Sequence, residues 1–414
     1  MAQIKSSPKR FDAIIIGAGP AGAQCARDLG KRGRKVLLME RSQRIGDPNF
    51  SSGGTPKETM KDFDLPLRVT QGAWSRFSMQ ANTYGHIWDY RKTKGYVFDF
   101  RELKKFLVSD AIKYGARVMV GTSAEAPIVE RGVVRGVKYG GVYGKGEARA
   151  DVIVDASGPK GVLATKLKLR KSSPCAPGIA IESIVEDTAV VRSLKKFKNT
   201  LSFYLGSEYV PHGYGWIFPF GKDAFKVGCC VSRAADRGIV KRDYSDMMAV
   251  FKKFLGKFPE FQNLQITELH GEDVFVTGGM ERDYGDGFLV IGDAAFQVNP
   301  VGGEGIRHGL HSGRMAAEVI DKAIQWNDFS KKTLMEYDRD WHAYVGTKWK
   351  IGFKMGETIY GNLGDGPWRK IMDFLSALSP EELFDIAFHY EYSKTVKFGR
   401  LAKFAKMIEG IKLG

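Results

Sequence analysis

FDAIIIGAGPAGAQCARDLGKRGRKVLLMER, residues 11–41, is the stretch that decides the fold. Its hydrophobic pattern predicts a buried strand over residues 13–16, a glycine turn, an amphipathic helix and a second strand, Val36–Met39. A helix of this length supplies the crossover that two parallel strands need. The sequence therefore predicts an α/β fold with a parallel sheet that begins near the N-terminus.

The glycines of this turn are spaced as in dinucleotide-binding sites. Gly17 allows a tight turn, Gly19 lets a diphosphate approach the backbone, and Gly22 lets the helix pack on the sheet. The free N–H groups at the helix start favour an anion. Glu40 ends the second strand, where a carboxylate accepts hydrogen bonds from a ribose. Because strand, helix and carboxylate occur together, we predict a dinucleotide site.

The composition predicts an acidic partner. The chain has 414 residues, enough for a large core in one to three domains, and a formal net charge of +16. That charge suits nucleic acid, anionic lipid or a phosphorylated substrate. The basic residues form no readable nucleic-acid motif, so we expect no nucleic-acid partner.

Cysteine usage and hydropathy indicate the cellular compartment in which the protein works. The four cysteines include no CxxC pair and no metal-ligand spacing, so we expect no metal and a reducing environment. The first ten residues lack the apolar core of a signal peptide, and no run of about 18 apolar residues follows. We therefore expect a cytoplasmic protein, which could work peripherally on the inner membrane face.

The segment after the second strand is predicted to be irregular. Residues 41–60 are polar and rich in glycine and proline, which predicts a loop without regular structure. This stretch by itself favours a solvated connection, but a loop that leaves the sheet at its cofactor end could instead fold over the reactive ring. Residues 76–96 alternate polar and aromatic side chains, which predicts antiparallel strands over a pocket, although aromatic residues in such strands more often form core than ligand wall.

A helix is predicted over residues 98–115, with Arg101 in its first turn. A cation there opposes the helix dipole, so we expect Arg101 to meet an external anion. Further strands are predicted over residues 118–120, 129–139 and 152–154.

A second glycine cluster follows a short buried strand predicted over residues 289–291. Asp293 stands at the strand end, where it could bind a sugar hydroxyl or simply cap the next turn. Gly302, Gly303 and Gly305 would let the backbone approach a flat ring, and a helix is predicted from Gly305 to residue 320. Its positive end would stabilise negative charge on such a ring.

An aromatic row lies in a strand-rich region, residues 174–271, which also contains a predicted helix over residues 244–257. Tyr214, Trp216 and Phe218 alternate, so their rings point to one face of a strand. The row is either sheet core or the wall of a cavity for a long apolar ligand.

These motifs resemble those of FAD-dependent oxidoreductases of the p-hydroxybenzoate hydroxylase type. The resemblance rests on GAGPAG with Glu40, on Arg101, on GDAA at 292–295 and on NPVGGEGI at 299–306. YGWIFP followed by Gly228 is similar to the Y-x-W-x-F-P and G-x-G signature of the geranylgeranyl reductases, including archaeal digeranylgeranylglycerophospholipid reductases. The resemblance spans about residues 11–330.

The resemblance implies a Rossmann-like FAD-binding domain, an antiparallel-sheet substrate domain and a C-terminal helical region. We place the FAD-binding domain at 1–170, with inserted strands at 65–98, and at 276–328. The substrate domain then covers 171–275, and the helical region covers 329–414.

The activity implied by the resemblance is reduction of isoprenoid C=C bonds in a lipid or a prenyl diphosphate. The cofactor would be FAD, and electrons would come from NAD(P)H or from ferredoxin or another reductase. The implied cofactor-binding residues are Gly17, Gly19, Pro20, Ala21, Gly22, Glu40, Arg41, Ser51, Ser52, Gly54, Arg101, Ala124, Asp293, Gly303, Gly305 and Ile306. Contacts to the isoprenoid chain are implied for Tyr214, Trp216, Phe218 and Pro300.

Two departures from the family pattern affect the substrate more than the cofactor. Archaeal members usually carry a cysteine in the loop after the second strand, where this chain has Ser51. A serine cannot provide a low-pKa thiolate, so any thiol role is absent here or replaced. Ser51 and Ser52 are then the candidate catalytic residues of this loop, and they could hold a proton-donating water. The second glycine of G-x-G is replaced by Cys230.

Three other functions share these motifs. The W-x-W-x-I-P box of flavin-dependent halogenases resembles YGWIFP, and a monooxygenase or halogenase would use the same fold. A lycopene-cyclase-like enzyme would use reduced flavin without net redox change. A non-catalytic flavin-bound carrier would bind prenyl lipid without oxidising its flavin.

The C-terminal segment, residues 393–414, places apolar and basic side chains on opposite sides of a predicted helix. Such a helix can lie on an anionic bilayer, or it can pack on its own domain with a solvated lysine face.

Overall fold

The computed structural model describes residues 10–170, 178–185, 194–222, 224–231, 244–261, 269–275, 279–360 and 365–391. Its strands, in chain order, are β1 Phe11–Ile16, β2 Val36–Met39, β3 Gly54–Pro56, β4 Thr70–Trp74, β5 Arg76–Ala81, β6 Tyr84–Asp89, β7 Gly95–Phe98, β8 Arg117–Met119, β9 Thr122–Glu130, β10 Val133–Gly141, β11 Gly146–Asp155, β12 Gly178–Val185, β13 Thr200–Leu205, β14 Gly213–Pro219, β15 Phe225–Val231, β16 Leu269–Val274, β17 Tyr284–Gly285 and β18 Phe288–Val290.

The helices pack around and between the sheets. In chain order they are α1 Pro20–Lys31, α2 Glu58–Asp62, α3 Phe100–Lys113, α4 Val162–Lys166, α5 Tyr244–Leu255, α6 Ile306–Trp326, α7 Lys331–Tyr360, α8 Asp365–Ser376 and α9 Pro380–Phe384. α7 bends at Gly346, whose φ is 51°. No helix in the described ranges has the length and apolar character that crossing a membrane requires.

The first sheet has a parallel centre, in the order β18-β11-β1-β2-β8. β1 is buried on both faces, because Ala13 and Ile15 face the core shared with α1, whereas Ile14 and Ile16 face a second core shared with β10 and α4. α1 connects β1 to β2 and packs its buried side against the sheet. The predicted α/β class is therefore confirmed.

One strand prediction in this sheet was wrong. Residues 129–139 do not form one strand but belong to the hairpin of β9 and β10. Arg131 and Gly132 both have positive φ, 50° and 82°, as a tight two-residue hairpin turn requires. The valines on both sides of Arg131-Gly132 continue the strand pattern in the sequence and conceal the turn.

The loop prediction for residues 41–60 was also partly wrong. β3 and the first residues of α2 lie within it, and β3 pairs with β7 in a small sheet completed by β4. This pairing is non-local, because more than 35 residues separate Thr55 from its partner Tyr96. The short turn-rich sequence gives no local signal for it.

The second sheet is mostly antiparallel and has the order β16-β12-β15-β14-β13-β5-β6. Strands β5 and β6 come from the part of the chain before α3, so this layer draws on two separate stretches of sequence. One face packs on α5 around Phe251 and Phe254, and the other faces the C-terminal helices around Trp368. Trp216 and Phe218 share the second face, which confirms that the alternating rings point the same way.

Candidate cofactor cavity and apolar chamber

Two helix N-termini meet at one cavity of about 260 Å³, which we call the helix-end cavity. Gly19 and Ala21 at the start of α1 line it, as do Gly305 and Ile306 at the start of α6. Neither helix start has a side-chain cap, so their first N–H groups remain available to a ligand. Two turns nearly 300 residues apart in sequence thus face one space, which is suited to an anionic ligand.

Close contact between the two helices brings these N-termini together. A Cβ atom on Gly313 of α6 would lie 2.2 Å from the carbonyl oxygen of Ala21, so only glycine fits there. Gly309 faces the same part of α1, where a Cβ would be 3.5 Å from the Ala21 nitrogen. The glycines of α6 therefore set the spacing of the two helix starts.

The glycines of the first turn differ in what surrounds them. A Cβ on Gly17 would lie 2.3 Å from the Ala156 oxygen, and one on Gly22 would lie 2.0 Å from the Gly17 oxygen. A Cβ on Gly19 would meet no atom within 4 Å. Gly17 and Gly22 are therefore needed by the fold, whereas the space beside Gly19 is open for a ligand such as a diphosphate.

Glu40 connects the end of β2 to this turn. Its carboxylate accepts hydrogen bonds from the backbone N–H groups of Ala18 and Ser42, each at 2.8 Å. These bonds hold the carboxylate beside the start of α1, and a carboxylate has further lone pairs for ribose hydroxyls.

Asp293 lies in the wall of the helix-end cavity, in a short turn over Gly292–Ala295. The residue at the cap position of this turn is Ile291, and no side-chain cap is present, so Asp293 does not act as the N-cap. Burial, with repulsion from Glu272, raises the pKa of Asp293 to about 6, and Arg170 opposes this rise. A sugar hydroxyl that bonded this carboxylate would replace part of the solvation that it has lost.

A second cavity, the apolar chamber, adjoins the first and has a volume of about 470 Å³. Its walls come from the second sheet, from α7 and α8, and from the turn after α9, and include Phe77, Phe203, Phe218, Ile359 and Trp368. Ser52, Tyr214, Gly303 and Tyr360 line both cavities, and we call these four residues the junction. The apolar chamber is therefore separated from the helix-end cavity by no more than the side chains and backbone of these four residues.

The two tyrosines of the junction are hydrogen-bonded to the glycine-rich turn before α6, residues 301–305. The Tyr214 hydroxyl donates to the Gly302 carbonyl at 3.2 Å, and the Tyr360 hydroxyl donates to the Val301 carbonyl. Their rings lie 5.9 Å apart at 27°. A Cβ on Gly303 would come within 2.6 Å of the Tyr214 hydroxyl, so glycine at 303 keeps the junction open.

The aromatic row is divided between the two cavities. Trp216 lines the helix-end cavity, Phe218 lines the chamber, and Tyr214 lines both. Gly228 on β15 lies under the Trp216 ring, where a Cβ would be 2.3 Å from Trp216 Cζ2 and 2.5 Å from the Ile181 oxygen. The first glycine of the G-x-G pattern therefore makes room for the tryptophan.

We expect Gly228→Ala to destabilise the protein by about 1–3 kcal/mol and to move the Trp216 ring, because the new methyl group overlaps a ring and a backbone oxygen. Urea unfolding and tryptophan fluorescence would measure both effects. Gly256→Ala is the matched control, because its Cβ would make ordinary contacts at 3.4 and 3.5 Å. Equal stability of the two variants would contradict this explanation of Gly228.

Behind the loop that carries Ser51 lies a buried charge pair that sequence reasoning missed. Lys226 on β15 is fully buried and donates to the Ser51 carbonyl oxygen. Its Nζ lies 3.7 Å from Glu182 Oε1, and the Trp216 indole N–H donates to Glu182 Oε2 at 3.0 Å. Burial raises the pKa of Glu182, although Lys226 opposes the shift. The pair thus ties the second sheet to the candidate catalytic loop.

A local signal for this pair does exist in the sequence. GIAIESIV and FKVGCCV read as buried strands with one charge each, Glu182 and Lys226. A charge within a buried strand needs a partner, so two such strands indicate a pair. Lys104 was missed as well, although it lines the helix-end cavity and donates to the Pro48 carbonyl at 2.8 Å. Burial lowers the pKa of Lys104 to about 8.

Several residues implied by the resemblance lie outside the helix-end cavity. Arg101 pairs with Asp47 at 3.4 Å, and its side chain is 38% exposed, so its contact with an external anion stays a prediction. Arg41 is exposed, and Ala124 packs beside the sheet in β9. Pro300 is buried beside Gly356, and Gly54 lines the chamber.

Among the residues that the structure describes, no three His, Cys, Asp or Glu side chains are grouped as metal ligands. Cys230, which replaces the second glycine of G-x-G, lines the helix-end cavity as a free thiol. Burial raises the pKa of this thiol to about 12, so it is protonated at neutral pH. It therefore adds volume to the cavity wall without adding charge.

The cavities fit FAD. Open space beside Gly19, two uncapped helix starts and a carboxylate at each glycine turn are the features that an adenine dinucleotide with a flat ring requires. Residues 12–167 match a family model described as FAD dependent oxidoreductase, and residues 184–273 match one described as geranylgeranyl reductase catalytic domain.

Curated relatives and solved structures agree with these models. A digeranylgeranylglycerophospholipid reductase of Methanoculleus marisnigri is 31% identical over 90% of this chain and 92% of its own length. The enzyme of the same name from Haloferax volcanii is 31% identical over 90% of this chain and 91% of its own length.

The structural likenesses concern the fold alone. A geranylgeranyl bacteriochlorophyll reductase-like protein of Thermoplasma acidophilum has a TM-score of 0.85 at 23% identity, over 96% of this chain and 99% of that one. A flavin-dependent brominase variant has a TM-score of 0.73 at 18% identity, over 96% and 98%. The identity to the curated relatives, over nine-tenths of both chains, decides the family. The chain belongs to the geranylgeranyl reductase family of FAD-dependent oxidoreductases.

Proposed function

We propose that the protein is an FAD-dependent reductase that saturates C=C bonds in the isoprenoid, geranylgeranyl-type chains of a lipid or a prenyl diphosphate. The observation that carries this proposal is the junction, where an apolar chamber and the helix-end cavity share four wall residues. The chemistry that FAD would supply, once bound and reduced, is a hydride for one carbon of the alkene. Gly19, Glu40, Asp293 and Gly305 would hold this cofactor.

The tyrosines of the junction position the alkene and exclude bulk water from it. The Tyr214 and Tyr360 hydroxyls donate to backbone carbonyls, which holds both rings in place. Each ring can therefore offer an apolar face to the isoprenoid chain. Ser52 makes no side-chain hydrogen bond with other residues of the described ranges, and it lines both cavities. We propose that Ser52 Oγ holds the water that protonates the second alkene carbon.

Ser51 is proposed to act through its backbone. Its carbonyl accepts from Lys226, and this bond fixes the loop that carries Ser52 beside the junction. The loop position that holds a cysteine in archaeal relatives is therefore proposed to contribute geometry here, with no thiol chemistry.

Partners are proposed at the level of chemical class. NAD(P)H or ferredoxin would deliver electrons. A prenyl lipid would be taken from an anionic membrane surface. The basic segment 393–414, for which the sequence predicts either contact with such a surface or packing on its own domain, lies outside the described residues. The net charge of +16 supports attraction to an anionic surface.

Anaerobic single-turnover spectroscopy tests this function. Protein loaded with FAD and reduced with dithionite should be reoxidised, without oxygen, when a geranylgeranyl lipid is added, and mass spectrometry should find two added hydrogens. A saturated phytanyl lipid is the control and should leave the flavin reduced. Persistent reduced flavin with bound geranylgeranyl lipid would indicate the carrier. Product of unchanged mass would indicate cyclase-like chemistry, and peroxide or oxygenated or halogenated product in air would indicate the monooxygenase or halogenase.

A further inference from the structure

Of the described residues that line the chamber, three are exposed: Gly302, Ile351 and Lys354. Gly302 adjoins the junction, whereas Ile351 and Lys354 lie on α7. Ile351 is 45% exposed although it is an isoleucine that also lines an apolar cavity. We call Ile351 and Lys354 the mouth of the chamber.

Among the described residues of the chamber wall, two are charged, Glu304 and Lys354. Glu304 is neutralised, because Arg307 donates to both of its carboxylate oxygens at 2.9 and 2.7 Å, and the Tyr390 hydroxyl donates to it at 2.7 Å. Lys354 has no carboxylate partner among the described residues. The net charge that the chamber offers a ligand is therefore positive and lies at its mouth.

The mouth and the junction are connected by one side of α7. Ile351, Met355 and Ile359 recur at four-residue spacing and line the chamber, and Tyr360 follows at the junction. At 1.5 Å per residue, the six residues from Lys354 to Tyr360 span about 9 Å along the helix axis. A chain that follows this side runs from a cation in water to the helix-end cavity.

We propose that Lys354 binds the phosphate of an anionic prenyl lipid at the mouth, while the prenyl tail enters the chamber. This inference rests on the proposed function and adds the headgroup to it. A phosphate bound at the mouth would fix which double bond stands at the junction, because the distance along α7 is fixed. Lys354 is thus a specificity-determining residue that touches substrate outside the reacting centre.

Isothermal titration calorimetry of the FAD-loaded, oxidised protein tests the inference, because no turnover occurs without an electron donor. The probes are digeranylgeranylglyceryl phosphate, geranylgeranyl diphosphate and neutral geranylgeraniol. In Lys354→Gln, affinity for the phosphate-bearing probes should fall by about fivefold, as expected for an exposed ion pair, while affinity for geranylgeraniol stays unchanged. The wild-type preference for phosphate should also weaken at high salt.

Lys332→Gln is the matched control, since Lys332 is exposed on the same helix but does not line the chamber. It should retain the wild-type affinities. If Lys354→Gln lowers the affinity for digeranylgeranylglyceryl phosphate alone, the mouth binds a phospholipid headgroup. If it lowers the affinity for geranylgeranyl diphosphate alone, the mouth binds a prenyl diphosphate. Unchanged phosphate affinity in Lys354→Gln, with tight binding of the tail, would overturn the headgroup site and leave the reductase function standing. Failure of the wild type to bind any probe would overturn both.

Discussion

Lys226→Met is expected to destabilise the protein by about 3–5 kcal/mol, because it leaves the buried Glu182 carboxylate without its cation. The side chain of Lys226 is fully buried, and that of Glu182 is nearly so. The bond to the Ser51 carbonyl is lost as well. Urea unfolding at constant m-value would measure the change.

The pH dependence of this variant identifies its cause. Burial already raises the pKa of Glu182, and removing Lys226 removes an influence that lowers it. The folded variant then binds a proton that the unfolded chain releases, so its stability falls as pH rises above the ordinary carboxyl pKa. The loss relative to wild type should be smaller near pH 5 than near pH 8.

Two further variants separate the pair from its surroundings. Lys226→Met combined with Glu182→Met should recover most of the stability, because an apolar pair replaces the charges without leaving one unpaired. Lys253→Met, at an exposed lysine of α5, should change stability by less than about 0.5 kcal/mol. If Lys226→Met were as stable as Lys253→Met, or if its loss of stability were the same at pH 5 and pH 8, the proposed role of the Glu182–Lys226 pair would be refuted.

Gly19→Ala is expected to weaken FAD binding by about 10- to 100-fold while leaving the apoprotein stable, because a methyl group would fill the space open to the diphosphate. The φ and ψ of Gly19 are −69° and 178°, which alanine adopts without strain. Its Cβ would meet no protein atom within 4 Å. Fluorescence titration with FAD and thermal unfolding of the apoprotein would measure the two effects.

Gly22→Ala provides the contrast within the same turn. Its Cβ would lie 2.0 Å from the Gly17 oxygen, so the apoprotein itself should lose stability although alanine favours helices. Gly366→Ala is the control, since its Cβ also meets nothing within 4 Å but lies in α8 outside both cavities. If Gly19→Ala bound FAD as Gly366→Ala does, the turn would be structural and the cofactor assignment would fail.

Local patterns predicted the elements around the first glycine turn closely. The residues of β2 and the helix over 98–115 follow from hydrophobic periodicity, and α3 occupies Phe100–Lys113. The hairpin at Arg131-Gly132 and the pairing of β3 with β7 were missed. In both cases backbone geometry or a distant strand, rather than local periodicity, decides the structure.

The sequence alone determined the chemistry of this protein: glycines where backbone must approach a ligand, a carboxylate after β2 and an aromatic row on one strand face. These are local properties, set by residue type and spacing. Tertiary structure decided which of these residues share a space. It set the two helix starts at one cavity through Gly313, divided the aromatic row between two cavities, and gave Arg101 an internal partner in Asp47. It also paired Glu182 with Lys226 across neighbouring strands, because a buried charge is costly unless an opposite charge lies beside it.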